Sequence, residues 1–245
     1  KIKPTLKKTL GFLQVFLKCF LAQDRAGLAQ GFTKENNYTG AMAAIAPAAL
    51  ELIGQGGGAA CLDGSAPGYW VQPGAADRFY VHMEGGSWCT SADDCARRSV
   101  GPMGSSRGLP ATVDLGALAT PFGGWYFSDS PDVNPSMASW TKVLVQACDG
   151  TSWSGSNETT TRAGSVDLHF RGAQNLAGLI EALQAGHALN AAREVVVGGG
   201  AGGGLAMERH VERIRAALAR SGCAASVRGL SGGAAAAEED AQRAT

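Results

Sequence analysis

The sequence predicts an α/β fold in which helices pack on the faces of a mostly parallel β-sheet. Two observations support this prediction: short strand-like segments alternate with helical ones, and each helical segment has one apolar face. The chain has 245 residues and is 45% hydrophobic, which is enough to build the core of one domain of ordinary size.

The predicted strands are short runs rich in β-branched and aromatic residues. They span residues 78–83, 142–147, 194–197 and 226–230. From the second of these onward the order is strand, helix, strand, helix, strand. This order is typical of parallel sheets, because each helix returns the chain to the edge where the next parallel strand begins.

Two segments have the periodicity of amphipathic helices. The first places its apolar residues at the i, i+3, i+4, i+7 positions of one buried face: Leu176, Leu179, Ile180 and Leu183. The second follows a glycine-rich loop and turns four apolar residues inward: Met207, Val211, Ile214 and Leu218. Its charged residues are left for solvent, so both helices are expected to cover a sheet face.

Charge and cysteine spacing restrict the classes of partner. The 21 lysines and arginines balance the 21 aspartates and glutamates, so the sequence offers no basic field for nucleic acid and no acidic field for a cationic partner. The six cysteines lack paired CxxC spacing and accompany only four histidines. We therefore expect disulfides or buried thiols rather than a zinc site.

The first 60 residues are expected to lie outside the domain. In residues 1–22, basic residues precede an apolar stretch as in a secretion signal, but Lys18 interrupts it, and the apolar spacing also fits an amphipathic helix. The glycines of residues 54–60 indicate a linker. We expect the domain to span 61–233 and a disordered, low-complexity tail to span 234–245.

Two sequons and the absence of a long apolar run bear on localisation. Asn37 and Asn157 match the N-glycosylation pattern in polar, turn-like surroundings. No apolar stretch reaches the roughly 20 residues that a membrane span needs. With the signal-like start, these features predict a secreted glycoprotein that is not integral to a membrane.

The glycine-rich loop from Gly198 to Gly204 separates a predicted strand from a predicted helix and has three interpretations. As a GxGxxG motif (Gly198, Gly200, Gly203), it predicts dinucleotide binding at the helix N-terminus. That motif needs an acidic residue at the end of the next strand, where this chain has Arg228. Alternatively, the glycines merely allow close packing, or the loop is the nucleophile elbow of an α/β-hydrolase.

The third interpretation is favoured by blocks elsewhere in the chain. The segments "CLDGSAPGYW", "VHMEGGSWCTSADDC", "GSSRG", "NPSMASWTKVLVQACDGTSWSGSNE" and "LHFRGAQNL" resemble, in order and spacing, the pectin acetylesterase and Notum carboxylesterase family. The resemblance covers residues 61–230, about the first half of such a domain. It implies a secreted serine carboxylesterase with an incomplete three-layer α/β-hydrolase fold and helices on both sheet faces, and no cofactor.

The resemblance also implies roles for particular residues. The backbone N–H groups of Gly86, Ser87 and Ala201 would form the oxyanion hole. Three neighbours would line the pocket: Glu84, Gly85 and Trp88. Cys89 would pair with Cys95, and Cys61 with Cys148, leaving Cys19 and Cys223 outside the pattern.

The chain departs from the family at the elbow. Counting from Phe170 places the nucleophilic serine at Gly200, which we take as the nucleophile position. Anchoring instead on the "GGLA" sequence of residues 203–206 would move it to Ala201, and neither side chain can attack a carbonyl. The family's acid and histidine are expected downstream, where His210 is interpreted as a packing or surface histidine. Asp167 and His169 precede the elbow and do not fit the triad order.

The expected substrate or ligand is an O-acylated polysaccharide or acylated protein. Because the nucleophile and its downstream partners are missing from the sequence as written, we expect an esterase without activity. The alternative is a non-catalytic protein that binds an acylated glycan or lipid.

Overall fold

The computed structural model describes residues 46–86, 88–118 and 124–232, which contain nine strands and three α-helices. The strands are β1 (Ala48–Leu52), β2 (Gly68–Gln72), β3 (Ala75–Met83), β4 (Thr112–Val113), β5 (Trp140–Val145), β6 (Thr161–Ala163), β7 (Val166–Leu168), β8 (Glu194–Gly200) and β9 (Ser226–Gly232). The helices are α1 (Ala92–Arg98), α2 (Gly172–His187) and α3 (Gly202–Arg220).

Seven strands form one sheet in the order β4-β1-β2-β5-β3-β8-β9. The strands β5, β3, β8 and β9 are mutually parallel. The strand β1 shares their direction, because β2 is antiparallel to both β1 and β5. The predicted α/β class with a mostly parallel sheet is confirmed, and β6 and β7 form a separate hairpin.

The four predicted strands are all present as β3, β5, β8 and β9. The strand β8 continues through three glycines beyond Val197, because the backbone pairing with β3 and β9 extends to Gly199 and Gly200. The structure also contains strands that the sequence did not predict: β1, β2, β4, β6 and β7.

Both long helices pack on one face of the sheet. The inward residues predicted for α2 are all buried, as are Met207, Ile214 and Leu218 of α3, while Val211 is partly buried against the same core. They meet a row of sheet residues that includes Phe79, Val81 and Val197. The connections from β5 to β8 and from β8 to β9 move across the sheet in the same direction, so right-handed crossovers place both helices on the same side.

The opposite face is covered, within the described residues, by the irregular segment between α1 and β5. Leu115, Phe127 and Met137 of this segment pack on Tyr80 and Trp140 of the sheet. A buried ion pair anchors the segment: the ammonium of Lys142, which is fully buried in β5, binds the Asp129 carboxylate, and Gln72 donates to the same carboxylate at 2.8 Å. Paired charges of this kind tolerate burial because each satisfies the other.

The boundary expected near residue 60 is wrong. The strand β1 pairs with β2 and β4, and Ile53 is fully buried. The carboxamide of Asn175 in α2 accepts a hydrogen bond from the Ala60 N–H at 2.8 Å and donates to the Ala60 carbonyl at 3.0 Å. Residues 48–60 therefore belong to the domain, whereas residues 1–45 and the tail 234–245 lie outside the described residues.

Two disulfides link the loops at one end of the sheet, as the resemblance implied. Cys61 bonds to Cys148, and Cys89 bonds to Cys95 at the first turns of α1. Cys223 is a buried free thiol. Among the described helices, none has both the length and the apolar composition required to cross a membrane.

The buried His82 predicts acid sensitivity. Burial lowers its pKa to about 4 from the ordinary histidine value of 6.5, and its Nδ1 lies 2.8 Å from the Tyr80 hydroxyl. As the pH falls, His82 therefore binds a proton at a higher pH in the unfolded state than in the folded state. The contribution of neutral His82 to the free energy of unfolding is fully present above about pH 6.5. About 3 kcal/mol of that free energy is lost as the pH falls toward 4.

We expect urea unfolding to show this loss between pH 7.5 and pH 4 in the wild type. The variant His82→Gln, which does not titrate but still accepts a hydrogen bond, should lose about 3 kcal/mol less over the same interval. Other titrating groups contribute equally to both proteins. Identical pH dependences in the two proteins would show that His82 does not contribute in this way.

Candidate active site

The candidate site lies at the carboxyl ends of three adjacent strands. The strands β5, β3 and β8 are parallel neighbours and end at Val145, Met83 and Gly200. Their following loops therefore meet at one edge of the sheet, which is where α/β proteins bind ligands.

The bend after β8 has the geometry of a sharp strand-to-helix turn. The strand ends at Gly200, α3 begins at Gly202, and Ala201 between them has φ 49° and ψ −123°. Non-glycine residues rarely adopt positive φ values, and such strain is concentrated at functional turns. This backbone favours the alignment with Ala201 at the apex over the predicted nucleophile position at Gly200, because Gly200 is still a strand residue.

Close packing explains several glycines of the loop. A Cβ on Gly203 would lie 2.0 Å from the Met83 carbonyl oxygen, and a Cβ on Gly199 would lie 2.4 Å from the backbone of Gly203. At Gly198, a Cβ would lie 2.8 Å from the Tyr80 hydroxyl. The first turn of α3 thus packs directly on β3 and β8, so the interpretation of the glycines as packing residues is compatible with an elbow.

The turn after β3 lies against this bend. A Cβ on Gly85 would be 2.5 Å from the Gly200 carbonyl oxygen and 3.4 Å from the Ala201 Cβ. Gly86 has φ 87°, a left-handed conformation that favours glycine. The residues predicted for the oxyanion hole and the elbow are therefore neighbours, apart from Ser87, which lies outside the described residues.

Glu84 and Trp88 border the same turn. The Glu84 carboxyl accepts a hydrogen bond from the Ala147 N–H at 3.3 Å, and although the residue retains exposed surface, surrounding protein atoms desolvate the carboxyl and raise its pKa. The half-buried Trp88 ring lies 6.0 Å from the Arg209 guanidinium, within reach of a cation–π interaction. Both residues lie at the edge predicted for the pocket.

The loop after β5 contributes residues that the sequence did not single out. The buried Asp149 accepts hydrogen bonds from the backbone N–H groups of Thr151 and Trp153, at 3.1 and 3.0 Å, and burial raises its pKa. The hydroxyl of the buried Ser152 donates to the Gly202 carbonyl at 2.7 Å. This contact ties the loop after β5 to the first residue of α3.

Other candidate residues lie apart from this arrangement or have different partners. His210 is 5% exposed, and burial together with Arg213 and Arg209 lowers its pKa, in keeping with a packing residue. Arg228 pairs with Glu194 at 2.8 Å, near the start of β8, so it does not lie at the strand end where a nucleotide ribose would bind.

A separate polar cleft of about 550 Å³ contains Asp167 and His169, together with Asp63 and Arg107. Neither Gly85 nor Ala201 lines it. Asp167 and His169 therefore line a cleft that is separate from the bend at Ala201.

Comparisons with known proteins identify similar sequences and a similar fold. The sequence profile of the family described as Pectinacetylesterase matches residues 42–236. Pectin acetylesterase 5 of Arabidopsis thaliana is 33% identical over 169 residues, which are 68% of this chain and 37% of that protein. Palmitoleoyl-protein carboxylesterase notum1 of Xenopus laevis is 28% identical over 176 residues, which are 70% of this chain and 33% of that protein.

A solved structure also matches the fold. The Wnt deacylase Notum from Drosophila superposes with a TM-score of 0.64 and 25% sequence identity, over 75% of this chain and 52% of the Notum chain. The chain thus spans less than half the length of the Arabidopsis and Xenopus relatives and about half of the Notum chain in that structure.

Proposed function

This chain belongs to the pectin acetylesterase family, and we propose that it binds O-acyl esters of a glycan or protein at the end of its sheet without hydrolysing them. The α/β-hydrolase architecture expected from the resemblance is confirmed by the structural similarity to Notum. The proposal that binding occurs without turnover rests on one observation, the position of Ala201 at the strained bend between β8 and α3.

The bend is the place where a serine would be held for attack in an α/β-hydrolase. The methyl group of Ala201 carries no lone pair, so it cannot form an acyl-enzyme. The sequence contains no serine, threonine or cysteine between Arg193 and Arg220, so no neighbour on the elbow supplies a hydroxyl or thiol. Loss of a triad serine typically lowers turnover by about 10⁶-fold.

The remaining parts of the site support ester binding. In this family an oxyanion donor is the N–H of the residue after the nucleophile. With Ala201 in the nucleophile position, that donor would be the Gly202 N–H instead of the Ala201 N–H expected when the nucleophile is at Gly200. The Glu84–Gly86 turn lies on the other side, within van der Waals distance of the bend. Backbone N–H groups arranged in this way would bind a carbonyl oxygen even where no nucleophile attacks.

The localisation that we propose is extracellular. Two disulfides occur in the described residues, and structural disulfides persist mainly in oxidising compartments. The sequon at Asn157 is exposed, and its side-chain oxygen accepts hydrogen bonds from the Thr159 N–H and hydroxyl. This exposed turn is accessible to a glycan, whereas Asn37 lies outside the described residues.

The proposal predicts that the protein does not hydrolyse p-nitrophenyl acetate faster than buffer. An acylated oligosaccharide should nonetheless bind more tightly than its deacylated form in isothermal titration calorimetry. Saturable turnover would contradict the proposal, most sharply if it disappeared in Ser152→Ala, since the Ser152 hydroxyl lies beside the elbow. Equal affinity for the acylated and deacylated sugars would contradict the ester-binding role.

A further inference from the structure

A guanidinium group holds the backbone of the turn that faces Ala201. The Arg98 Nη1 donates to the Gly86 carbonyl at 2.9 Å. The same side chain, through Nε, lies 3.2 Å from the Asp94 Oδ2, one turn earlier on α1. Arg98 therefore connects the turn after β3 to a fixed point on the helix.

The anchor for this arginine is itself fixed. Asp94 Oδ2 accepts a hydrogen bond from the Thr90 N–H at 3.0 Å, and the Asp94 N–H donates to the Ser91 hydroxyl oxygen at 3.1 Å, which caps α1. The Cys89–Cys95 disulfide joins the chain just after the turn to the same helix. The position of the Arg98 guanidinium is thus set by a cap, an ion pair and a covalent link.

Gly86, whose carbonyl binds Arg98, has peptide groups that would otherwise rotate easily. Gly86 has φ 87° and no Cβ, so few steric contacts resist rotation of its carbonyl. Met103 lies beside both groups: its Cε is 3.3 Å from the position of a Gly86 Cβ, and its sulfur is 3.9 Å from the Arg98 Nη1. A carbonyl turned toward the bend would present partial negative charge where an oxyanion would form.

We infer that Arg98 is a positioning residue for the oxyanion-binding turn, acting by holding the Gly86 carbonyl away from Ala201. The inference rests on the proposed function, because it assumes that this turn and Ala201 flank the ester carbonyl. Arg97 provides a matched control. It precedes Arg98 on α1 and pairs with the other oxygen of Asp94 at 3.3 Å, but it has no hydrogen bond to Gly86.

The test uses the Ala201→Cys variant, whose thiol supplies a nucleophile at the bend. Acetylation of the thiol by p-nitrophenyl acetate forms its new S–C bond through a tetrahedral oxyanion, and p-nitrophenolate leaves as the thioester forms. Alkylation by iodoacetamide forms an S–C bond by direct displacement of iodide, with no oxyanion. The ratio of the two second-order rates therefore reports oxyanion stabilisation separately from thiol access and thiol pKa.

Adding Arg98→Ala to the Ala201→Cys variant is expected to lower the acetylation rate about tenfold and to leave the alkylation rate nearly unchanged. Arg98→Lys should give an intermediate acetylation rate. A lysine ammonium lacks the planar, multiply donating guanidinium that lets Arg98 bind the Gly86 carbonyl and the Asp94 carboxylate together. Arg97→Ala should change neither rate. If Arg98→Ala does not fold, the comparison of Arg98→Lys with Arg97→Ala carries the same test.

The outcomes separate failure of the inference from failure of the proposed function. If acetylation is unchanged in the Arg98 variants, or falls only in parallel with alkylation, the positioning role is overturned while the proposed function stands. If Ala201→Cys alone has the acetylation-to-alkylation ratio of N-acetylcysteine, no oxyanion turn faces the bend, and the proposed function and the inference both fail.

Discussion

Ala201→Cys is expected to react with p-nitrophenyl acetate about 100-fold faster than Gly200→Cys. At residue 201 the new thiol would lie at the N-terminus of α3, where the helix dipole lowers thiol pKa values, and beside the Gly85 backbone. Donors directed at a developing oxyanion typically contribute a factor of about 10² to 10³. Residue 200 is buried within β8 and lacks this placement.

The acetylation rates are measured by p-nitrophenolate release and by mass spectrometry of the peptide that carries the new thioester. The unmodified chain serves as the control for its own free thiols, of which Cys223 is buried. Equal rates for the two variants would remove the reason for placing the nucleophile position at Ala201. A faster Gly200→Cys would instead favour the alignment counted from Phe170.

Removal of the Cys61–Cys148 disulfide is expected to cost about 4.6 kcal/mol of unfolding free energy. The bond spans 87 residues, and closing a loop of this length removes much conformational entropy from the unfolded chain. It also joins the loop before β2 to the loop after β5, so it ties together two loops at one end of the sheet. Urea unfolding of the double variant Cys61→Ala, Cys148→Ala measures the loss.

The Cys89–Cys95 bond is the matched control. It closes only six residues, for which the same loop-closure argument predicts about 2 kcal/mol. Equal losses in the two double variants would show that loop entropy does not govern the contribution of these bonds. A smaller loss for the longer bond would contradict the prediction outright.

The sequence predicted those parts of the fold that side-chain periodicity determines. The α2 and α3 faces and the strands β3, β5, β8 and β9 carry large apolar residues at regular spacing, and all six elements are present. The strand β1, in contrast, reads AALEL and has no β-branched residue. Its place in the sheet depends on pairing with β2, a long-range contact that local propensity does not reveal.

The candidate site was only partly predictable for a related reason. A loop of six glycines and one alanine has almost no side-chain pattern, so the predicted nucleophile position, Gly200, depended on counting from Phe170 and could be wrong by one residue. The positive φ of Ala201 distinguishes the two positions, and it is a property of the backbone. The Arg98–Gly86 contact was missed because it joins a side chain to a carbonyl twelve residues earlier, with no recurring motif.

The central claim is that the bend at Ala201 is an esterase elbow without its nucleophile. The most direct test is a crystal structure of Ala201→Cys carrying the thiohemiketal formed with a trifluoromethyl ketone. The claim predicts that the oxygen anion lies roughly 2.7–3.1 Å from the Gly202 N–H and from backbone N–H groups of the turn after β3. An oxygen directed into solvent, with no backbone N–H within hydrogen-bond distance, would contradict it.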